Sequence, residues 1–182
     1  MGHSGAGKST LAMTIAGLET VTEGKVFYKD KPIHNLKEDE LADYRSKNVG
    51  IIFQSFNLLP SMTALENVNL PLEISGNFID DEKGTKLLES VGLSHRISHY
   101  PHELSGGEQQ RVAIARSLIS SPEILIADEP TGNLDKKNSK EVIELIFKLQ
   151  KIHKSTLILV THDKSLADLC DQTIILDNGM IL

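Results

Sequence analysis

The sequence predicts an α/β protein built on a doubly wound, mostly parallel sheet. Three observations predict it. Gly2-His3-Ser4-Gly5-Ala6-Gly7-Lys8-Ser9-Thr10 fills a complete G-x-x-x-x-G-K-[ST] phosphate-loop pattern. Apolar, β-rich runs recur along the chain, each ending in polar residues. Stretches of helical periodicity separate those runs, and this alternation is the mark of a parallel sheet covered on both faces.

The phosphate loop comes first. Its glycines let the backbone curl so that successive N–H groups point at phosphate oxygens. The following helix, expected from Leu11, Ala12, Ile15, Ala16 and Leu18 with Gly17 not breaking it, aims its positive dipole end at the same anion. Lys8 supplies a point charge to the phosphates, and the Ser9 hydroxyl can ligate Mg²⁺. His3 occupies a variable position of the loop and contributes only its backbone.

Four strands are expected next: Val49–Phe53 ended by Gln54, Ile124–Ala127 ended by Asp128, Thr156–Val160 ended by Thr161-His162, and Thr173–Leu176 ended by Asp177-Asn178-Gly179. Helical patterns occupy Glu108–Ser120 and Ser139–His153, and Glu38, Asp39, Glu40 and Asp43 form a solvated helix face. Between about residues 62 and 120 no strand signal appears; Pro71 interrupts one helical run and Gly84 lies in the next, Asp80–Val91. The expected organisation is one domain over residues 1–182, with a catalytic core at 1–54 and 121–182 and a helical subdomain inserted at 55–120. In such sheets ligands bind beyond the carboxyl ends of strands. Gln54, Asp128, Glu129 and His162 all lie there.

Composition narrows the function. At 182 residues the chain can bury one sizeable core. The net charge of -6 argues against a nucleic-acid binder, which carries a basic excess. The single cysteine, Cys170, excludes an internal disulfide and reads as a small buried apolar residue. No apolar run approaches bilayer length and the first ten residues are the phosphate loop rather than a leader, so the expectation is a cytosolic domain.

Two further segments carry chemistry. Ile124-Leu125-Ile126-Ala127-Asp128-Glu129-Pro130 is an apolar strand ending in two carboxylates. Asp128 is expected to hold Mg²⁺, directly or through water, and Glu129 to polarise an attacking water. Leu104-Ser105-Gly106-Gly107-Glu108-Gln109-Gln110-Arg111 places Ser-Gly-Gly before a helix, a second anion-binding N-terminus. One nucleotide does not need two such loops from one chain, so the second is expected to serve a nucleotide bound elsewhere. His95, His99 and His102 lie close together, the first two on a possible shared helix face. They lack a nearby cysteine or a carboxylate cluster beyond Glu103, which argues against a metal site.

These residues resemble the ATP-binding cassette (ABC) ATPases over essentially the whole chain. Gly2–Thr10 resembles the family's Walker A loop, Gln54 its Q-loop, Leu104–Gln109 its signature, Ile124–Pro130 its Walker B strand, Gly132-Asn133-Leu134-Asp135 its D-loop and His162 its switch histidine. The resemblance implies a P-loop ATPase that binds ATP and Mg²⁺ and energises a membrane permease, sitting peripherally on the inner face of the membrane. It implies a head-to-tail dimer in which Ser105, Gly106 and Gly107 of one copy face the γ-phosphate held by Lys8 of the other. It also implies that Gln54 ligates Mg²⁺ and that His162 contacts the γ-phosphate. Phe56-Asn57-Leu58-Leu59-Pro60, Thr63-Ala64-Leu65-Glu66-Asn67-Val68, Pro71-Leu72 and Thr161-His162-Asp163 resemble the branch serving lipoprotein release and macrolide export. Two alternatives remain open: a soluble ABC ATPase outside transport, although such proteins carry insertions, zinc cysteines or tandem cassettes that this chain lacks, and an inactive fragment.

The family carries a segment before the phosphate loop that supplies side-sheet strands, an adenine-stacking aromatic and a core strand beside Thr156–Val160. The sequence therefore leads us to expect an opening in the sheet there, a phosphate loop without its N-terminal anchor, and a chain that is unstable and nearly inactive on its own. Adenine stacking is assigned to no residue.

Lys8→Ala is expected to weaken nucleotide binding itself by about 1.5–3 kcal/mol, the worth of a charge-assisted contact. Titration calorimetry checks this, and an unchanged affinity would remove the phosphate-loop role.

Overall fold

The apolar runs become the spine of the molecule, seen in a computed structural model that describes residues 1–79 and 81–182. The chain runs through α1 (Lys8–Ile15), the hairpin strands β1 (Phe27–Tyr28) and β2 (Lys31–Pro32), α2 (Glu38–Asn48) and β3 (Val49–Ile52). Then come α3 (Ala64–Ile74), α4 (Asp81–Ser90), a 3-10 turn (Pro101–Glu103), α5 (Gly106–Leu118) and β4 (Ile124–Asp128). It closes with α6 (Lys136–His153), β5 (Thr156–Val160), α7 (Lys164–Ala167), β6 (Leu176–Asp177) and β7 (Met180–Ile181). The helix expected from Asp80 begins, among the described residues, at Asp81.

β3, β4 and β5 form one parallel sheet in that order. The register is unbroken, from Val49 opposite Ile124 to Ile52 opposite Ala127, and from Ile124 opposite Thr156 to Asp128 opposite Val160. Side chains alternate across the sheet. Ile52, Leu125, Ala127, Leu157 and Leu159 face the larger core, built with α3, α4, α5 and α6. Ile126 and Val160, with Ile51, Ile124 and Ile158 beside them, face Ala12 and Ala16. The middle strand is sealed on both faces, Leu125, Ile126 and Ala127 each being 0% exposed. That is why its sequence is a continuous apolar run rather than an alternation. Gly50 lets α5 lie directly on β3, since a Cβ there would stand 2.1 Å from the Ser117 carbonyl oxygen.

The helices depart from expectation in two places. α1 ends at Ile15 because Gly17, at φ 70°, does break the pattern. The Leu18 N–H donates to the Met13 carbonyl at 2.9 Å and the Gly17 N–H to the Thr14 carbonyl at 3.1 Å, a Schellman closure that needs the left-handed glycine. Pro71 does not end a helix but sits inside α3. Thr63 opens that helix with a capping box to Glu66, and the Ser75 hydroxyl donates to the Pro71 carbonyl at 2.8 Å near its end.

The expected fourth parallel strand is also different. Residues 173–175 are not a strand; Leu176–Asp177 pairs antiparallel with Met180–Ile181 across Asn178-Gly179, whose φ values of 48° and 79° suit a tight hairpin turn. Among the described residues β5 pairs with β4 alone, and an apolar cavity of about 310 Å³ lies beside it, lined by Leu11, Ile15, Leu157, Leu159 and Ile174 among others. The opening expected beside Thr156–Val160 is therefore present. The phosphate loop is nonetheless tied down, through a route not visible in the sequence. The Met1 ammonium donates to the Ile174 carbonyl at 2.5 Å, Leu176 N–H donates to the Met1 carbonyl at 2.8 Å, and Gly179 N–H donates to the Ala6 carbonyl at 3.2 Å.

After β3 the chain makes an unusual turn, with Phe56 and Asn57 both in the left-handed region at φ 58° and 52°. Arg116 of α5 holds it, its guanidinium donating to the Asn57 carbonyl at 2.6 Å and the Phe56 carbonyl at 2.7 Å. Burial lowers the Arg116 pKa from its ordinary value. Arg116→Ala is expected to lower unfolding free energy by about 1–3 kcal/mol, since two carbonyls lose a charged donor. It should also speed amide exchange at 55–58. Urea unfolding and exchange measurements check both, and a variant matching the parent would show that the turn holds itself.

Candidate functional site

The carboxyl ends of the three parallel strands converge on the phosphate loop. Beyond β3 stands Gln54, β4 ends in Asp128 with Glu129 next, and Thr161-His162 follows β5. The register brings them level because Asp128 pairs directly with Val160, and the Glu129 N–H extends the ladder by donating to the Val160 carbonyl at 3.0 Å. Glu129 takes φ 45° to turn its side chain off the strand.

A cleft of about 640 Å³ results. One wall is the phosphate loop, from His3, Ser4 and Gly5 to Gly7, Lys8, Ser9 and Thr10; the other is Gln54, Glu129, Gly132 and His162. Gly2 and Ala6 do not line it; Ala6 is buried and serves the loop's anchorage. Asp128 sits just behind, accepting a hydrogen bond from the Ser9 hydroxyl at 2.9 Å. Lys8 heads α1, and its ammonium donates to the His3 carbonyl at 2.8 Å. The His3 backbone carbonyl is the acceptor of that bond. Across the cleft His162 Nδ1 lies 3.0 Å from the Glu129 carboxylate.

Ser105, Gly106 and Gly107 are not brought into this cleft. They form the start of α5, where Ser105 is the N-cap. The Ser105 hydroxyl donates to Glu108 Oε2 at 2.8 Å, the Ser105 N–H donates to the same oxygen at 2.8 Å, and the hydroxyl accepts from the Glu108 N–H at 3.3 Å. Arg96 Nε braces the other carboxylate oxygen at 3.0 Å. The Ser105 backbone N–H, with its hydroxyl and Arg96 adding to it, holds the Glu108 carboxyl below its usual range against an opposing push from burial. The next residues fan outward. Gln109 donates to the Pro101 and Leu104 carbonyls at 3.0 and 3.1 Å, Gln110 to the Pro130 carbonyl at 2.6 Å, and Arg111 to the Val91 carbonyl at 3.1 Å. Sequence reasoning singled out Ser105–Gly107 and missed this bracing set, although the S-x-x-E spacing of a capping box was there to be read. It placed Asn133 in the D-loop without seeing that it bonds Gln54.

His95 and His99 lie outside any helix, and His102 lies in the 3-10 turn. Residues 94–98 are turns rather than a helix, so His95 and His99 share no helix face. His99 Nε2 lies 3.0 Å from Arg96 Nη1, and the His102 ring stacks on Tyr100 at 5.9 Å. Among the described residues no group of three His, Cys, Asp or Glu side chains could hold a metal ion. At the cleft, with Asp128 just behind its wall, the Ser9 hydroxyl, the Gln54 amide oxygen and the Asp128 carboxylate offer hard oxygen donors and a single negative charge. That set fits Mg²⁺, which keeps water and phosphate oxygens as its remaining ligands.

Fold and site together define a P-loop nucleotide hydrolase. The ABC transporter family pattern matches residues 1–132. An Escherichia coli K12 ABC transporter ATP-binding protein, YbbA, is 48% identical over 183 residues, covering 100% of this chain and 80% of the relative. The lipoprotein-releasing system ATP-binding protein LolD of Cytophaga hutchinsonii is 47% identical over 184 residues, covering 100% of this chain and 84% of the relative. The macrolide export ATP-binding/permease protein MacB of Bdellovibrio bacteriovorus is 48% identical over 181 residues, covering 100% of this chain but 28% of that longer protein. A dimeric structure of the ATP-binding cassette MJ0796 with ADP and Pi superposes with a TM-score of 0.89 at 39% identity, covering 100% of this chain and 81% of that one. The chain belongs to the ABC transporter family, as an ATPase that uses ATP with Mg²⁺.

A lowered folded-state pKa at Glu108 means that its bonds stabilise above the ordinary carboxylate range and fade as pH falls through the folded value. Glu108→Ala is expected to cost about 0.5–2 kcal/mol near neutral pH, the usual worth of a helix cap. The difference from the parent should narrow at about pH 3, below the ordinary carboxylate pKa. Urea unfolding at both pH values checks this; a gap unchanged in acid would assign the effect to packing alone.

Proposed function

We propose that the chain is the motor subunit of a membrane transporter of the lipoprotein-release or macrolide-export type, hydrolysing ATP to drive a permease. The observation that carries the hydrolytic reading is the Glu129–His162 pair standing across one cleft from Lys8 and Ser9. Phosphoryl transfer to water needs positioning and charge neutralisation more than covalent chemistry. The phosphate-loop N–H groups and Lys8 hold the β- and γ-phosphates. Ser9, Gln54 and Asp128 are the residues that hold Mg²⁺, which supplies charge neutralisation on the phosphate oxygens. Glu129 accepts a hydrogen bond from the attacking water and orients it in line. His162, oriented through Nδ1 by Glu129, leaves Nε2 to meet the γ-phosphate.

Ser105, Gly106 and Gly107 fit a role in trans. They lie outside their own chain's cleft at a capped helix N-terminus, and the relative solved with ADP and Pi is a dimer. A head-to-tail pair of copies would bring them to the γ-phosphate held by Lys8 of the other. Residues 55–120, helical and without a strand among the described residues, serve as the subdomain carrying that signature between the core segments 1–54 and 121–182. No helix among the described residues is long and apolar enough to cross a membrane. In this reading the permease holds the chain at the inner face of the membrane. The names of the relatives in Cytophaga and Bdellovibrio support the choice of branch.

Glu129→Gln tests the reading. ATP binding is expected to persist while hydrolysis falls by about 10²–10⁴, the worth of a positioned base. Phosphate-release and binding assays on the same preparation check it, and hydrolysis at the parental rate would overturn the assignment.

A further inference from the structure

Gln54 carries the one side-chain amide on the cleft wall, and an amide has two unlike ends. Oε1 only accepts hydrogen bonds and Nε2 only donates them. A cation is served by the first and repelled by the second, so which end faces the cleft matters. Asn133 settles the orientation by a chain of unambiguous bonds. Its Nδ2 donates to the Gln54 main-chain carbonyl at 3.0 Å, a partner that can only accept. That bond fixes the Asn133 amide and turns Oδ1 toward the Gln54 side chain. Oδ1 in turn accepts from Gln54 Nε2 at 3.3 Å. With Nε2 spoken for, Oε1 is the end left free. Gly132 makes the approach possible: a Cβ there would lie 2.6 Å from Gln54 Nε2 and 2.8 Å from its Cδ. The loop after Pro130 is therefore closed onto Gln54 by a missing side chain and latched by its neighbour.

We propose that Asn133 is a positioning residue that fixes the amide orientation of Gln54, so that the carbonyl oxygen and not the NH₂ is presented to the divalent cation accompanying the nucleotide. The inference rests on the reading of Gln54 as a cation ligand. It also ties the loop that follows β4 to the residue that follows β3, so that a movement of either segment alters how firmly the cation is held.

The test measures ATP binding without metal, in EDTA, and then across a Mg²⁺ titration. Asn133→Ala is expected to raise the Mg²⁺ concentration for half-maximal effect about 3–10-fold while changing affinity in EDTA by less than about twofold, the scale of one neutral hydrogen bond. In a Gln54→Glu background either carboxylate oxygen can face the cation, so adding Asn133→Ala should produce no further change. An unaltered Mg²⁺ requirement in Asn133→Ala would overturn the proposal. So would an equal rise in the Gln54→Glu background, because the effect would not run through amide orientation. If Asn133→Ala loses binding in EDTA, Asn133→Ser, whose hydroxyl stops short of Nε2, carries the same expectations. Gln54→Ala separates the two readings. If it leaves the Mg²⁺ requirement unchanged, the cation-ligand assignment falls and takes this proposal with it. If it raises the requirement while Asn133→Ala does not, only the positioning role falls.

Discussion

Everything at the cleft depends on the shared register of three parallel strands. Each strand is only four or five residues long, and each hands over to a polar residue within one or two positions of its end. A slip of one residue would turn every side chain to the opposite face. Two different cores oppose that slip: Leu125 and Ala127 are committed to one and Ile126 to the other. Burial of the middle strand on both faces is therefore what aligns Asp128 with Ser9 and Glu129 with His162. The chemistry is placed by hydrophobic packing several ångströms below it.

The signature helix obeys a different logic. α5 is a buried strut of the larger core, and its first turn is also a bonded hub. Ser105 and Glu108 cap it reciprocally, Gln109 fastens the preceding turn, and Gln110 reaches the loop beside Glu129 through the Pro130 carbonyl. Arg116, two turns on, fastens the segment after Gln54. A single rigid helix thus touches the segments that follow β3 and β4. Its bonds end on the Pro130 carbonyl, one residue from Glu129, and on the Phe56 and Asn57 carbonyls, two and three residues from Gln54.

Much of this was legible in the sequence, for a physical reason. Strands buried on both faces must be continuous apolar runs, and phosphate loops must have glycines at set spacings, so both leave local traces. Gln54, Asp128, Glu129 and His162 could be placed at one sheet edge from pattern alone. The bond between Gln54 and Asn133 could not, because its partners lie 79 residues apart and an asparagine in a polar loop looks like many others. Gly17 was misjudged since apolar residues continue on both sides of it; only its left-handed φ shows the helix ending. Thr173–Leu176 looked like a core strand because it is β-rich. Its bonds run instead to Met1, to the hairpin strand opposite Leu176, and to Leu182, whose N–H donates to the Ile175 carbonyl at 3.0 Å.

The claim that three strand ends and the phosphate loop act as one nucleotide site is tested most directly by hydrogen exchange with and without Mg²⁺ and ATP. Exchange slows where a ligand removes local opening. The account predicts that amides of the phosphate loop, of residues 54–55, of 129–133 and of 161–163 become protected together, with one dependence on ATP concentration. Protection confined to residues 2–10, with the strand ends exchanging as before, would contradict it.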